Sequence, residues 1–155
     1  MQTSFTDKQL LDKDNKSSES ILRKCVHCGM CNATCPTFCV NGEELEGPRG
    51  RIYLIKDMLE NKKPANKKVV KHIDSCLSCY SCMTTCPSGV NYMHLIDHGR
   101  NYVEETYKRP FFDRLFRNIL SFVLPRPKVF LVLAYLTKLI KPFSFLLPTF
   151  LKNSL

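Results

Sequence analysis

The chain has 155 residues, nine of them cysteine, and a formal net charge of +9 at neutral pH. This length gives room for one compact domain plus an appendage. Residues 1–108 carry 15 Lys and Arg against 13 Asp and Glu, whereas residues 109–155 carry 8 against 1. The odd cysteine count and the polar, mixed residues 1–11 argue against a secreted disulfide framework.

The first predicted element is a short helix near the N-terminus. Thr6 and Gln9 match a capping box at its start. Residues 12–18 are polar and predict a turn. A serine, Ser18 or Ser20, is then expected to cap a second short helix over 20–24 that leads into the first cysteine run.

Two cysteine runs of identical spacing follow in the sequence. Each reads C-x2-C-x2-C-x3-C-P and ends in Thr-Cys-Pro. This spacing holds [4Fe–4S] clusters in two-cluster electron carriers, where the fourth cysteine ligates the other cluster. Proline disfavours the helical conformation in the residue before it, so each fourth cysteine should turn away from its own run. The first cluster is therefore assigned Cys25, Cys28, Cys31 and Cys86. The second is assigned Cys76, Cys79, Cys82 and Cys35.

Structural zinc is the main alternative, because zinc sites also use C-x2-C pairs. Zinc takes four ligands in paired knuckles and has no use for a third cysteine at the same step with a Cys-Pro exit. The ninth cysteine, Cys39, is interpreted as a small buried apolar residue beside a cluster. A spare ligand or a redox-sensitive thiol is the alternative for it.

The segment between the runs predicts a cover for a cluster and then a helix. Residues 37–40 form an apolar patch suited to covering a cluster, and residues 41–46 form an acidic loop. The Gly-Pro-Arg-Gly-Arg sequence at 47–51 predicts a tight turn that opens a helix over about 51–61. An apolar stripe at helical spacing predicts its core face, comprising Ile52, Ile55, Met58 and Leu59.

Two arginines in this segment have two open interpretations. Arg49 and Arg51 either contact a cluster's negative charge or an acidic partner surface, or are ordinary solvated charges. Eight bound thiolates and two oxidised cores of about +2 each would bring residues 1–108 to a charge of about −2. The basic character of the protein therefore belongs to residues 109–155.

The second half repeats the order of the first. Residues 61–68 form a linker, and Val69, Val70 and Ile73 predict a short helix that leads into Cys76. Asn91 is expected to cap a helix that ends near Lys108. We therefore predict a mainly α, two-[4Fe–4S] ferredoxin-like domain over 1–108 and a basic amphipathic helical tail over 109–155, with much of the stability supplied by the metal.

No substrate-converting site is predicted in this sequence, and no residue is assigned a catalytic role. The sequence has no paired carboxylates, no nucleophile beside a base and no glycine-rich phosphate loop. The four histidines, His27, His72, His94 and His98, are expected to have structural or surface roles. His27 could also tune a cluster through a hydrogen bond.

The tail predicts an amphipathic helix. Its apolar face comprises Phe112, Leu115, Phe116, Ile119, Leu120 and Val123, and its polar face comprises Arg114, Arg117, Asn118 and Ser121. Prolines at 125 and 127 end it. The uncharged run over 129–137 is too short to span a membrane, and Pro142 and Pro148 interrupt the rest.

Such a tail could dock into a partner subunit, pack on a downstream domain or rest on an anionic membrane surface. Nucleic acid is not expected as a partner, because the basic residues alternate with aliphatic side chains and form no readable motif.

The chain resembles the iron–sulfur subunit of glycolate oxidase (glycolate dehydrogenase). The first cysteine run, the Gly-Pro-Arg-Gly-Arg-Ile-Tyr-Leu-Ile-Lys string at 47–56 and the Cys-Pro-Ser-Gly-Val string at 86–90 carry the resemblance, which extends over about 20–129. The eight run cysteines match the family's ligands position by position. Family members continue into a second half with Cys-Cys-Gly motifs, so the resemblance concerns the N-terminal two-cluster part only.

The resemblance implies that the clusters carry electrons from a flavoprotein that oxidises glycolate to glyoxylate, toward the respiratory chain. It also implies a cytoplasmic location, with peripheral contact at the inner membrane. Two alternatives stay open: an electron carrier of another complex, similar to heterodisulfide reductase or fumarate reductase, and a non-redox metal-binding scaffold.

Overall fold

A computed structural model describes residues 1–140 of the chain, with side chains to residue 136. Its helices are α1 (Asp7–Leu10), α2 (Lys13–Lys24), α3 (Pro36–Asn41), α4 (Pro48–Asn61), α5 (Lys67–Asp74), α6 (Ser81–Thr84), α7 (Tyr92–Thr106), α8 (Phe111–Val123) and α9 (Pro127–Ile140). Single 3-10 turns occupy Met30–Asn32 and Glu44–Glu46. None of residues 1–140 lies in a strand, which confirms the predicted mainly α class.

The N-terminal helices differ in part from the prediction. The capping box of Thr6 and Gln9 at α1 is present. The predicted turn over 12–18 is wrong, because α2 begins at Lys13 and Asp12 caps it by accepting the backbone N–H of Asp14. Aspartate is a strong N-cap, so the polar stretch forms the first turns of the helix. Ser18 caps nothing and is buried inside α2.

Helix α4 begins three residues earlier than predicted. Pro48 occupies the first turn, where its missing N–H costs no hydrogen bond, so the predicted turn at 47–51 is helical instead. Gly50 lies against the Glu44–Glu46 turn, and a Cβ there would come 2.2 Å from the Glu44 carbonyl oxygen. The glycine is needed for this close approach.

The chain divides into two compact units, the first spanning Met1–Lys108 and the second beginning at Arg109. In the first unit α4 packs on α2, α5 and α7. The core includes Leu22, Ile52, Ile55, Met58, Leu59, Ile73, Leu95, Ile96 and Val103. The predicted stripe of α4 is therefore buried, and each fully buried side chain of this size contributes about 1.5–3 kcal/mol.

The second unit contains α8 and α9. Helix α8 has its predicted amphipathic sequence, and none of its residues is buried. Within residues 1–140 no single helix is long and apolar enough to cross a membrane; only α8 and residues 127–136 pass that test together, and the pair is bent by 111°. The breaks predicted at Pro142 and Pro148 lie outside the described residues.

Candidate metal centre

The two cysteine runs have the same backbone conformation. The residue just before the second cysteine of each run has a positive φ, which is 60° at His27 and 52° at Ser78. Two residues further on, Gly29 and Tyr80 also have a positive φ, 85° and 57°. Three of these four residues are not glycine, and each costs of order 1 kcal/mol in this region. Such strain persists only where the surroundings impose it, and here it occurs at matching positions of the two cysteine runs.

The first cavity is lined by five cysteines from both runs, one of which, Cys82, also lines the second cavity. It has about 460 Å³ of empty space, counting its open mouth, and its wall includes Cys25, Cys28, Cys31 and Cys86. Cys25 enters the wall as the residue that ends α2. The structure thus places the fourth cysteine of the second run beside the first three of the first run.

The second cavity has the reciprocal composition. It has about 290 Å³ of empty space, and its wall includes Cys76, Cys79, Cys82 and Cys35. Cys35 has an extended backbone (φ −87°, ψ 115°) immediately before Pro36, as its position before proline predicts. Cys82, Pro48 and Tyr92 line both cavities, so a single shared wall separates them.

The thiols of each set affect one another electrostatically. Burial, followed by the neighbouring Cys25, Cys86 and Cys28, raises the pKa of Cys31 to about 11. Burial also raises the pKa of Cys82 to about 12, with contributions from Cys31, Cys76, Cys35 and Cys79. Thiolates this crowded repel each other unless a cationic centre lies between them, and a bound metal core supplies that charge.

A buried ionic network adjoins the second cavity. The Arg51 side chain is 1% exposed and lines that cavity. Its Nη2 donates to Glu46 Oε2 at 3.0 Å, and its Nε donates to the His72 carbonyl at 2.7 Å. Its Nη1 lies 3.8 Å from Cys35 Sγ. Of the two interpretations left open for Arg51, the solvated one is wrong, because the guanidinium is buried beside a cysteine sulfur.

Glu46 and His72 complete this network. The Glu46 carboxylate accepts from Ser75 Oγ, and its other oxygen lies 2.8 Å from His72 Nδ1. Burial opposes ionisation of Glu46, but the hydrogen bonds from Ser75 and His72, with the charges of His72 and Arg51, hold its pKa below the usual value. The sequence interpretation placed Glu46 in an acidic loop and missed it; the adjacent Gly-Pro-Arg-Gly-Arg string was the only signal.

Arg49 differs from Arg51 because it stays near the surface. It pairs with Glu44 at 3.1 Å, and about 40% of its side chain is exposed. It lines the first cavity close to Gly29, where a Cβ would come 2.9 Å from Arg49 Nη1. It therefore borders the first cavity and also reaches solvent.

The prediction for Cys39 is wrong. Cys39 is exposed, and it lines neither cavity. Its neighbour Val40 is 84% exposed, so the outer side of α3 does not cover a metal centre. Helix α3 lies only on the edge of the second cavity, through Pro36 and Thr37. The apolar sequence pattern of 37–40 gave no information on which side faced inward.

The histidines other than His27 have structural or surface positions. His72 and His98 are held by Glu46 and by Ser18, the latter at 2.7 Å between Ser18 Oγ and His98 Nδ1. His27 lines the first cavity, and its Nε2 is buried without a hydrogen-bond partner. An orphaned ring nitrogen in a cysteine-lined cavity fits a site that holds a further acceptor, such as the sulfur of a bound cluster.

Comparison with known proteins agrees with this metal chemistry. A family model described as "4Fe-4S dicluster domain" matches residues 21–90. The glycolate oxidase iron-sulfur subunit of Escherichia coli (strain K12) is 49% identical over 143 residues, covering 92% of this chain and 35% of that protein. The probable glycolate oxidase iron-sulfur subunit of Bacillus subtilis (strain 168) is 32% identical over 117 residues, covering 72% of this chain and 26% of that protein.

A more distant relative is the mitochondrial succinate dehydrogenase (ubiquinone) iron-sulfur subunit of Candida glabrata. It is 27% identical over 84 residues, covering 50% of this chain and 33% of that protein. No solved structure matches the chain. The chain spans between about a quarter and a third of the length of these curated relatives. By sequence, the chain is therefore a relative of the glycolate oxidase iron–sulfur subunits, and its residues 21–90 match a 4Fe-4S dicluster domain, which supports iron–sulfur cluster binding there.

Proposed function

We propose that the chain binds two [4Fe–4S] clusters with crossed ligation. The supporting observation is that the wall of each cavity includes the first three cysteines of one run and the fourth cysteine of the other, with Cys82 in the wall that the two cavities share. The first cluster takes Cys25, Cys28, Cys31 and Cys86. The second takes Cys76, Cys79, Cys82 and Cys35.

Metal analysis of protein purified without oxygen tests this assignment. About eight irons and eight acid-labile sulfides per chain are expected. One or two zinc ions, with no sulfide, would replace the proposal with a structural metal scaffold.

We propose electron transfer as the function of the bound clusters, which supply one-electron chemistry when present. The residues of the chain hold the thiolates in place and separate the two sites by one wall. Cys82 and Tyr92 lie in that wall, and both are at least 93% buried, so water is excluded from it. Two metal sites with one dry wall between them suit the passage of an electron through the protein.

The donor is proposed from the relatives. Two of them are named as iron-sulfur subunits of glycolate oxidase. We propose that this chain accepts electrons from a flavin-containing subunit that oxidises glycolate to glyoxylate, and passes them toward the respiratory chain.

Purification of the chain together with its native partners tests this donor. Glycolate should bleach the cluster absorbance of the complex without oxygen. Intact clusters that are unaffected by glycolate, but are reduced when another substrate is supplied, would reassign the donor. Succinate is the first alternative substrate, because a succinate dehydrogenase iron-sulfur subunit is among the relatives.

We propose a cytoplasmic location with peripheral contact at the inner membrane. Helix α8 supports this, because its phenylalanines are exposed, including Phe112 at 80% and Phe116 at 61%. Arg114 and Arg117 lie on the same helix. A helix with this pattern can lie in the interface of an anionic bilayer. No nucleic-acid partner is proposed.

A further inference from the structure

We propose that Arg51 is a positioning residue that sets the reduction potential of the second cluster through Cys35. This inference rests on the proposed function, since it requires iron in the second cavity. The guanidinium contacts one cysteine of the eight: its Nη1 lies 3.8 Å from Cys35 Sγ. Hydrogen bonds to cluster sulfurs are a main determinant of potential, and a charged donor is stronger than a neutral one.

The surroundings of Arg51 fix the direction of this bond. Its Nε and Nη2 are held by the His72 carbonyl and by Glu46, at 2.7 Å and 3.0 Å. Nη2 also lies 3.0 Å from Thr37 Oγ1 and from Ser75 Oγ. With those nitrogens engaged elsewhere, Nη1 remains for the sulfur. A planar guanidinium held at so many points has little freedom to turn away.

The network also joins the two halves of the chain. Arg51 and Cys35 belong to the first half, whereas His72 and Ser75 immediately precede the second cysteine run. Arg51 therefore connects Cys35, the cysteine of the first run that lines the second cavity, to the segment that precedes Cys76. The first cavity has no counterpart among the described residues, since the arginine on its wall, Arg49, is partly exposed and pairs with Glu44.

The charges predict opposite effects for two substitutions. Arg51 brings a positive charge to the Cys35 thiolate, which favours the reduced, more negative cluster. Glu46 lies behind the guanidinium and opposes that charge. Arg51→Lys keeps the positive charge but loses the guanidinium N–H that points to the Cys35 sulfur. It should therefore lower the reduction potential of the second cluster. Glu46→Gln, which is nearly isosteric, should raise it.

The experiment is an oxygen-free redox titration of the full chain, monitored by electron paramagnetic resonance, with iron counted in each variant. A tenfold shift of the reduction equilibrium corresponds to 59 mV for one electron, and at least this is expected for Arg51→Lys. The potential of the first cluster should not change. Arg100→Lys is the matched control, because Arg100 also holds the second run, through Ser78 Oγ and the Cys76 carbonyl, and contacts no sulfur.

Potentials that stay unchanged in both variants, or that shift in the same direction, would overturn the inference. So would an equal shift in Arg100→Lys. Where Arg51→Lys does not retain its second cluster, Glu46→Gln decides alone: a raised potential supports the inference, and an unchanged or lowered one overturns it. Absence of iron from the wild-type chain would instead refute the proposed function itself, so the two failures are distinct.

Discussion

At the scale of single residues, the site depends on positions that the cysteine pattern does not include. Three buried residues beside the second cavity contact one another, and each is at most 2% exposed: Arg51, Glu46 and His72. A buried charge without its partner is strongly destabilising, so these residues form a unit. Gly50 makes the unit possible by letting the turn that carries Glu46 approach α4.

Replacing Gly50 with alanine should destabilise the protein. The added Cβ would lie 2.2 Å from the Glu44 carbonyl and 2.7 Å from Leu45 Cα, both backbone atoms that move only with the whole turn. We expect a loss of about 1–3 kcal/mol in the free energy of unfolding, as for other overpacked sites. Thermal unfolding of the metal-loaded protein measures it.

Gly42→Ala provides the comparison. Gly42 has a φ of 66°, but a Cβ added there would meet no atom within 4 Å, so only the backbone cost of about 1 kcal/mol applies. Gly50→Ala should therefore be the more destabilised of the two variants. The reverse order would contradict the packing of α4 against the Glu44–Glu46 turn.

At the scale of elements, α7 is held to α2 by a partly buried polar pair, in which Ser18 Oγ of α2 lies 2.7 Å from His98 Nδ1 of α7. Burial lowers the pKa of His98, while Asp14, Asp12 and Glu105 act to raise it and His94 to lower it. The folded-state pKa therefore lies below the value of about 6.5 expected in the unfolded chain. The unfolded chain takes up the proton first, so stability is lost as the pH falls from about 6.5 through the folded pKa.

Replacing His98 with glutamine should remove this part of the pH dependence. The free energy of unfolding of wild-type protein should fall more steeply below about pH 6.5 than that of His98→Gln. The measurement is thermal unfolding of both proteins, without oxygen, on either side of that pH. His94→Gln leaves the Ser18–His98 pair intact but removes one of the groups that lower the pKa of His98, so its slope should lie between those of the other two proteins. Equal slopes in all three proteins would contradict the assignment.

Helix α8 is the element that carries the proposed membrane contact. The full chain should bind vesicles of phosphatidylglycerol and phosphatidylcholine more tightly than vesicles of phosphatidylcholine alone, because each basic residue near an anionic surface contributes about 1 kcal/mol. Phe116→Ser should weaken binding about tenfold through lost apolar burial. Sedimentation with vesicles at several salt concentrations measures both effects.

The control for this experiment is Asn118→Ala on the polar face of α8. It should leave binding unchanged. Binding that is insensitive to Phe116→Ser, or equal on both types of vesicle, would assign the apolar face of α8 to a protein contact instead.

At the scale of the whole molecule, the proposed crossed ligation requires each cysteine run to supply one ligand to the other run's cluster. Cys35→Ala should therefore give the same result as Cys76→Ala: loss of about four irons and of the second cluster's resonance signal. Cys86→Ala should match Cys25→Ala, because both variants should lose the first cluster. Iron analysis and electron paramagnetic resonance of the four variants test the pairing.

Cys39→Ala is the internal control, since Cys39 is exposed and lies outside both cavities. It should keep about eight irons. Uncrossed ligation would instead make Cys35→Ala match Cys25→Ala. Circular dichroism should also show helix loss when iron is removed, because ligation supplies part of the folding free energy.

The sequence alone determined the helical class, the core stripe of α4 and the two cysteine runs, because each follows from local spacing. Fixed cysteine steps and the Cys-Pro exit restrict the backbone whatever lies around them. Helix starts were less well predicted at Asp12 and Pro48, since several polar or proline residues compete to begin a helix.

Only the tertiary structure decided which polar groups are buried and which apolar ones are not. His72 lies 21 positions after Arg51 in the sequence, and the charges of Arg51 and Glu46 are compensated only when α4, α5 and the Glu44–Glu46 turn meet. Cys39 and Val40 are apolar by composition but exposed, because α3 turns that side outward. Burial depends on what packs nearby, and no local pattern contains that information.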